Sequence, residues 1–202
     1  MTLDPGYFDE MYAVSDDPWG FTSRWYEVRK SAISIALLPD RHYDSVFEPG
    51  CSIGVLTELL APRSGQLLSC DLAAAAVRSA AARTASMPNV RVEQRTLPEH
   101  WPNGSFDLIV FSEFLYYFAG RDLDRVLDLA TAALRPDGCL LAVHWRHPVT
   151  EYPRGGDEVH QVLASRAGLA RLVDHREPDF LAEVYIRTDT TPVSVAQAGG
   201  LA

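Results

Sequence analysis

The stretch Glu48-Pro49-Gly50-Cys51-Ser52-Ile53-Gly54 has the residue types and spacing best suited to chemistry in this 202-residue chain. It follows Ser45-Val46-Phe47, which reads as a buried strand, and precedes Val55, Leu56, Leu59 and Leu60 at helical spacing. A loop so placed lets glycine backbone approach a ligand with no Cβ in the way, and offers the free N–H groups that open a helix. A dinucleotide asks such a loop for G-x-G-x-x-G with room for a pyrophosphate. Here Ser52 stands where the second glycine belongs and Val55 where the third belongs. Glu48 puts a carboxylate at the strand end, which repels a pyrophosphate at short range and suits a cation.

S-adenosylmethionine answers that description, with a sulfonium, an ammonium and no phosphate. The next strand, Gln66–Asp71, ends in Asp71, seventeen residues after Gly54, where a carboxylate accepts both ribose hydroxyls or else caps the following helix; Leu72 follows it at the same edge. After a third strand, 89–95, Thr96 offers a polar edge and Leu97 an apolar face to an adenine ring. Ser112-Glu113 follows the apolar run Phe106–Phe111, where a methyl acceptor would enter. Glu113 either steers a cationic amine or starts a helix. His144 closes the strand 139–145 and is either a general base or a core histidine. Trp19 lies in an aromatic, acidic N-terminal stretch, where a large aromatic is most often core. Arg29 pairs either with surface acids or with the methionine carboxylate.

The elements that must position these residues alternate. An amphipathic helix at 24–38, with Trp25, Val28, Ala32, Ile35 and Leu38 as its apolar face, precedes five βα-type strands. An alanine-rich helix at 73–84 and another at 121–134, closed by Arg135-Pro136-Asp137-Gly138, fall between them. A helix at 159–167 and strands at 171–176 and 180–187 finish the pattern. Alternation of this kind predicts an α/β, doubly wound sheet in one domain. Residues 1–23 read as an irregular arm, 24–189 as the domain and 190–202 as a fraying tail.

Composition excludes several classes. Hydrophobic residues at 47% and charged residues at 22% are ordinary globular values. A net charge of −9 opposes nucleic acid and anionic membranes as partners. Three cysteines (51, 70 and 139) with no C-x-x-C pair speak against a disulfide framework and against zinc. With no basic-then-apolar leader and no apolar run of about 18 residues, the expectation is a cytoplasmic protein without a metal.

With these residues in hand, the sequence resembles the class I S-adenosylmethionine-dependent methyltransferases. The carriers are Glu48-x-Gly50-x-Ser52-x-Gly54, Asp71, Phe106-Asp107-Leu108-Ile109-Val110 and Leu134-Arg135-Pro136-Asp137-Gly138. Within them it is similar to the nodulation protein S group, through Tyr7-Phe8-Asp9, Asp16-Asp17-Pro18-Trp19, Trp25-Tyr26-Glu27-x-Arg29-Lys30, Leu97-Pro98-x-x-Trp101-Pro102, Ser112-Glu113-x-x-Tyr116-Tyr117 and His144-Trp145. Ser52 in mid-loop departs from the usual glycine-rich pattern. The resemblance implies a Rossmann-like seven-stranded sheet with an antiparallel last strand and an arm, Trp19 included, that folds over the cofactor instead of joining the core. It further implies S-adenosylhomocysteine as product and a small-molecule acceptor such as an amino sugar or oligosaccharide. A nicotinamide-dependent oxidoreductase and a cofactor-binding protein without turnover are the rival readings.

Overall fold

The computed structural model describes residues 2–201; Met1 and Ala202, the outermost residues of the expected arm and tail, lie outside the described residues. In chain order the elements are α1 (Gly6–Val14), α2 (Trp25–Leu37), β1 (Tyr43–Pro49), α3 (Val55–Leu60), β2 (Ser64–Asp71), α4 (Ala74–Arg83) and β3 (Val90–Gln94). They continue with β4 (Phe106–Ser112), α5 (Gly120–Ala133), β5 (Leu134–Trp145), α6 (Gly156–Ala164), β6 (Leu169–Arg176), β7 (Phe180–Arg187) and the one-turn α7 (Val195–Ala198). The strands form one sheet in the order β3-β2-β1-β4-β5-β7-β6. Neighbours among β1 to β5 pair in parallel, and β7 runs antiparallel to both β5 and β6.

Burial on both faces explains the continuous apolar runs of the central strands. On one face Ile109, Phe111, Leu140 and Ala142 pack with Leu123, Val126 and Leu127 of α5. On the other, Leu108, Val110, Leu141 and Val143 pack with Leu56 and Leu60 of α3 and Val184 of β7. The strand order turns back between β1 and β4, so the crevice for a ligand lies beyond their carboxyl ends.

Three local expectations are corrected. The arm is not irregular: α1 is a nine-residue helix started by Asp4, whose carboxylate accepts the Gly6 N–H at 2.8 Å. It seats Phe8 and Tyr12, one turn apart, against Ile53, Ala73 and Ala76. In α2 the inward face is mixed: Ile35 and the C-cap Leu38 pack on the core as expected, but Glu27, Lys30 and Ser34 are buried too, while Trp25 is 73% exposed and Val28 and Ala32 also face outward. The Arg135–Gly138 stretch is not a turn ahead of the fifth strand but a bulge within β5, between its pairings with Phe106 and Leu108. The tail carries α7, capped by reciprocal hydrogen bonds between Ser194 and Gln197. No helix among the described residues is long and apolar enough to cross a membrane.

Candidate active site

A cavity of about 270 Å³ opens at the carboxyl ends of β1, β2, β4 and β5. Its floor is the β1–α3 loop. Gly50 holds φ at +72°, and a Cβ there would stand 2.7 Å from Cδ2 of Phe114, so only glycine fits. The Gly50 and Cys51 N–H groups both donate to the Cys70 carbonyl, at 2.7 and 3.0 Å. Ser52, also at positive φ, donates its N–H to Asp71 Oδ2 at 2.9 Å, and Asp71 Oδ1 accepts the Ala73 N–H at 3.0 Å. Asp71 therefore braces the loops after β1 and β2 and forms part of the cavity wall.

The N-terminal segment roofs this end. Tyr12 Oη lies 2.5 Å from Ser52 Oγ, and the Trp19 ring packs edge-on against Tyr12 with centroids 5.7 Å apart. Trp19 and Phe21 both face the cavity. Gly54, at φ +80°, serves packing instead: its missing Cβ admits α4, since that atom would meet Ala80 Cα at 2.9 Å.

Glu48 is 2% exposed. Its Oε2 accepts hydrogen bonds from Thr57 Oγ1 at 2.6 Å and Ser69 Oγ at 2.7 Å. Burial pushes its carboxyl up to about 7, against the pull of those two hydroxyls. The expected standing anion is thus poised near neutrality, and a cation entering the cavity would draw the proton off.

The far wall carries a buried charge cluster. Lys30 Nζ donates to Glu113 Oε1 at 2.6 Å and lies 2.9 Å from Glu27 Oε2. Burial disfavours the ammonium, but Glu113 and Glu27 outweigh it and raise Lys30 above the usual lysine range. Burial raises Glu27, which Lys30 only partly offsets. Glu113 Oε2 also accepts the Tyr116 hydroxyl and the Trp145 N–H, the latter at 3.0 Å. The Tyr26 hydroxyl is buried and has no partner among the described residues. Two carboxyl groups thus flank one ammonium among aromatic rings, and the Arg24 guanidinium also bears on Glu27.

Of the residues singled out from sequence, Trp19, Glu48, Gly50, Ser52 and Asp71 line the cavity. So do Leu72, Leu97, Ser112 and Glu113. Four do not. Arg29 points outward and grips Glu177 with two hydrogen bonds of 2.6 and 2.7 Å. Thr96 is exposed behind Leu97. Gly54 lies beneath the loop. His144 is fully buried behind the wall; its Nε2 accepts the Leu115 N–H at 3.1 Å, and burial and His160 hold it well below the usual imidazole range, so it has no free lone pair for a substrate proton. Sequence reasoning missed Tyr12, Arg24 and Lys30, all on the cavity wall. Lys30 had a signal: it is the chain's only lysine, three residues from Glu27 on a helix whose polar face turned out to be the inner one.

Residues 9–173 match the model of the family described as Nodulation protein S (NodS). A trans-aconitate 2-methyltransferase of Deinococcus radiodurans is 36% identical over 105 residues, covering 52% of this chain and 39% of that protein. The matched regions span 39% to 61% of the lengths of the curated relatives. A Pseudomonas syringae protein of known crystal structure, provisionally assigned as a methyltransferase, is 48% identical with a TM-score of 0.73, covering 81% of this chain and all of that one. The N-methyltransferase NodS of Bradyrhizobium japonicum WM9, crystallised with S-adenosylhomocysteine, shares the fold at 24% identity and a TM-score of 0.80, over 91% of this chain and 99% of that one. The match over 165 consecutive residues, on the seven-stranded class I methyltransferase sheet, means that the chain belongs to the nodulation protein S family.

Proposed function

We infer that this chain transfers a methyl group from S-adenosylmethionine to a small acceptor bearing an amine, with an amino sugar, free or at the end of an oligosaccharide, as the acceptor class. The observation that carries the reading is a single cavity joining the Gly50–Ser52 loop and Asp71 at one end to the Glu27–Lys30–Glu113 cluster at the other. The loop brings no cation of its own to a diphosphate, and Glu48 beneath it is a buried carboxyl, so the nicotinamide reading loses ground.

The residues present fit the cofactor. Asp71 would take the ribose hydroxyls on lone pairs left beside its two backbone donors. Leu72 and Leu97 would flank the adenine, and Trp19 with Tyr12 would close over it. Arg24, on the wall, replaces Arg29 as partner for the methionine carboxylate. When bound, the cofactor supplies a methyl carbon already activated by the adjacent sulfonium. The chain's task is then to orient the acceptor in line and to manage its proton. An amine enters as a cation, drawn by the Glu113 and Glu27 carboxylates. Glu113 takes its proton on a lone pair not used by Lys30, Tyr116 or Trp145, and the neutral nitrogen attacks. The C–S bond breaks as the N–C bond forms, and the sulfur leaves as a neutral thioether.

Calorimetry with S-adenosylhomocysteine and with NAD tests the cofactor: binding of the first and not the second is expected, and the reverse ends the proposal. Incubation with S-adenosylmethionine and matched panels of amino sugars and carboxylic acids, read by mass spectrometry, tests the acceptor. Products one CH₂ heavier only in the acid panel overturn the amine reading, and binding without turnover on any panel favours a non-catalytic protein.

A further inference from the structure

His144 has no place in the chemistry above, yet it ends a row of buried polar groups with only one self-consistent arrangement of hydrogens. A backbone N–H can only donate, so the Leu115 amide 3.1 Å from His144 Nε2 requires that nitrogen to be bare. The ring proton then sits on Nδ1 and is donated to His160 Nε2 at 3.0 Å. His160 in turn carries its proton on Nδ1 and donates it to Glu183 Oε2 at 2.7 Å. Glu183 is fully buried in β7. Burial alone would raise its carboxyl, but hydrogen bonds from His160 and Tyr185, with the Arg171 guanidinium nearby, hold it down to about 2. Its Oε1 accepts from Arg171 at 2.7 Å and Arg176 at 2.9 Å. The row therefore runs from a permanent anion on β7, pinned by two β6 arginines, to a backbone amide beside the cavity.

That amide belongs to the turn Leu115–Tyr117, which follows Glu113 and carries Tyr116. Glu113 sits at φ +52°, a region costly to a residue with a Cβ, so the turn does not hold itself. Three consecutive residues of β5 hold it instead. Val143 accepts the Glu113 N–H at 2.8 Å, Trp145 donates to Glu113 Oε2 at 3.0 Å, and His144 accepts the Leu115 N–H. The first is backbone to backbone, and the second asks of β5 only the Trp145 N–H opposite the Glu113 carboxylate. The third needs an imidazole in one tautomer, and His160 and Glu183 supply the acceptor that selects it. Tyr116 packs edge-on to the same ring, with centroids 5.2 Å apart.

We propose that His144 is a positioning residue, locked in its Nδ1–H form by His160 and Glu183, that fixes the turn 113–117 so that Glu113 and Tyr116 face the acceptor. The consequence for turnover rests on the methyl-transfer reading; the tautomer and the restraint on the turn do not.

The test begins with unsubstituted protein labelled with ¹⁵N-histidine. Long-range ¹H–¹⁵N correlation at neutral pH, without ligand, should show both His144 and His160 protonated on Nδ1 alone. An Nε2–H or doubly protonated His144 overturns the proposal. His144→Leu and His144→Gln then separate positioning from packing, because glutamine still accepts from one end of its amide and donates from the other. Exchange of the Leu115 amide should be fast in His144→Leu and slow in His144→Gln. With an acceptor in hand, kcat should fall by about tenfold to a hundredfold in His144→Leu, the scale set by misplacing a reacting group by about 1 Å, with affinity for S-adenosylhomocysteine within about threefold. Most of that loss should return in His144→Gln. A folded His144→Leu protein with unchanged kcat and a protected Leu115 amide refutes the role; should that variant not fold, the labelled unsubstituted protein still decides it. If no acceptor is ever turned over, the methyl-transfer reading fails while the tautomers and the exchange rates still judge the relay.

Discussion

Replacing Glu48 with glutamine separates the charge of this side chain from its shape. The carboxyl is 2% exposed, accepts from Thr57 and Ser69, and has its ionisation pushed from 4.5 to about 7 by burial. A raised carboxyl binds its proton more tightly in the folded chain than in the unfolded one. Stability is therefore lost as pH rises from about 4.5 to about 7 and stays lower above that. At 1.36 kcal/mol for each pH unit, the ionised carboxylate costs the empty protein on the order of 3 kcal/mol. Glutamine keeps an acceptor for both hydroxyls and cannot ionise. In urea melts, Glu48→Gln should match the parent near pH 4.5 and exceed it by about 3 kcal/mol at pH 8. Binding should show the opposite preference. The ammonium of S-adenosylhomocysteine favours the ionised form, so its Kd in the parent should weaken by about tenfold per pH unit below 7, approaching a hundredfold at pH 5, and level off above pH 8. Calorimetry should find that slope flattened in Glu48→Gln. Equal slopes in both proteins, or a variant less stable than the parent at pH 8, would refute the reasoning.

Three further substitutions probe the cavity. Gly50→Ala places a Cβ at positive φ and 2.7 Å from Phe114, so stability should fall by at least about 1–2 kcal/mol and the Kd for S-adenosylhomocysteine should rise about tenfold or more; calorimetry showing parental affinity would mean the loop does not approach the cofactor. Arg24→Ala should weaken S-adenosylhomocysteine by the loss of one charge-assisted bond, roughly ten- to a hundredfold, whereas Arg29→Ala, whose partner is the surface Glu177, should leave Kd within about twofold; the reverse order in the same titration would return the carboxylate to Arg29. Lys30→Met removes the ammonium shared by Glu27 and Glu113. It should cost about 3–5 kcal/mol at pH 8 and less at pH 5, where Glu27, already raised by burial, takes up a proton, and urea melts at the two pH values with equal losses would contradict that.

The sheet was legible because its strands obey one rule. Runs such as Phe106–Phe111 are apolar throughout since helices cover both faces, and turn residues punctuate them, so element order and even the antiparallel finish could be written down from the residues and the family they resemble. The loop residues were legible for a related reason: Gly50 and Asp71 sit where strand ends meet a helix start, and the path of the chain brings those ends together whatever the side chains in between. The helix α1 was not legible, because its two inward residues, Phe8 and Tyr12, are diluted by Tyr7 and Met11 and followed by acids and proline.

His144 and α2 failed for different causes. Pattern reading assumes that inward means apolar, and on a cavity wall that carries charged groups the assumption fails. On β5 both faces are buried, so alternation carries no sign to tell which side of the sheet His144 takes; it shares the face of Leu140 and Ala142, under α6, and never reaches the crevice. On α2 the conspicuous Trp25 faces outward while Glu27 and Lys30 turn in, because the first half of the helix lines the cavity while its later residues, Ile33, Ile35 and Leu37, pack on the core. The polar stripe at i, i+3 and i+7 is then the informative one. A charged pair on that stripe survives burial only by completing its hydrogen bonds across the cavity, as Lys30 does with Glu113, so the polar stripe itself marks the cavity wall.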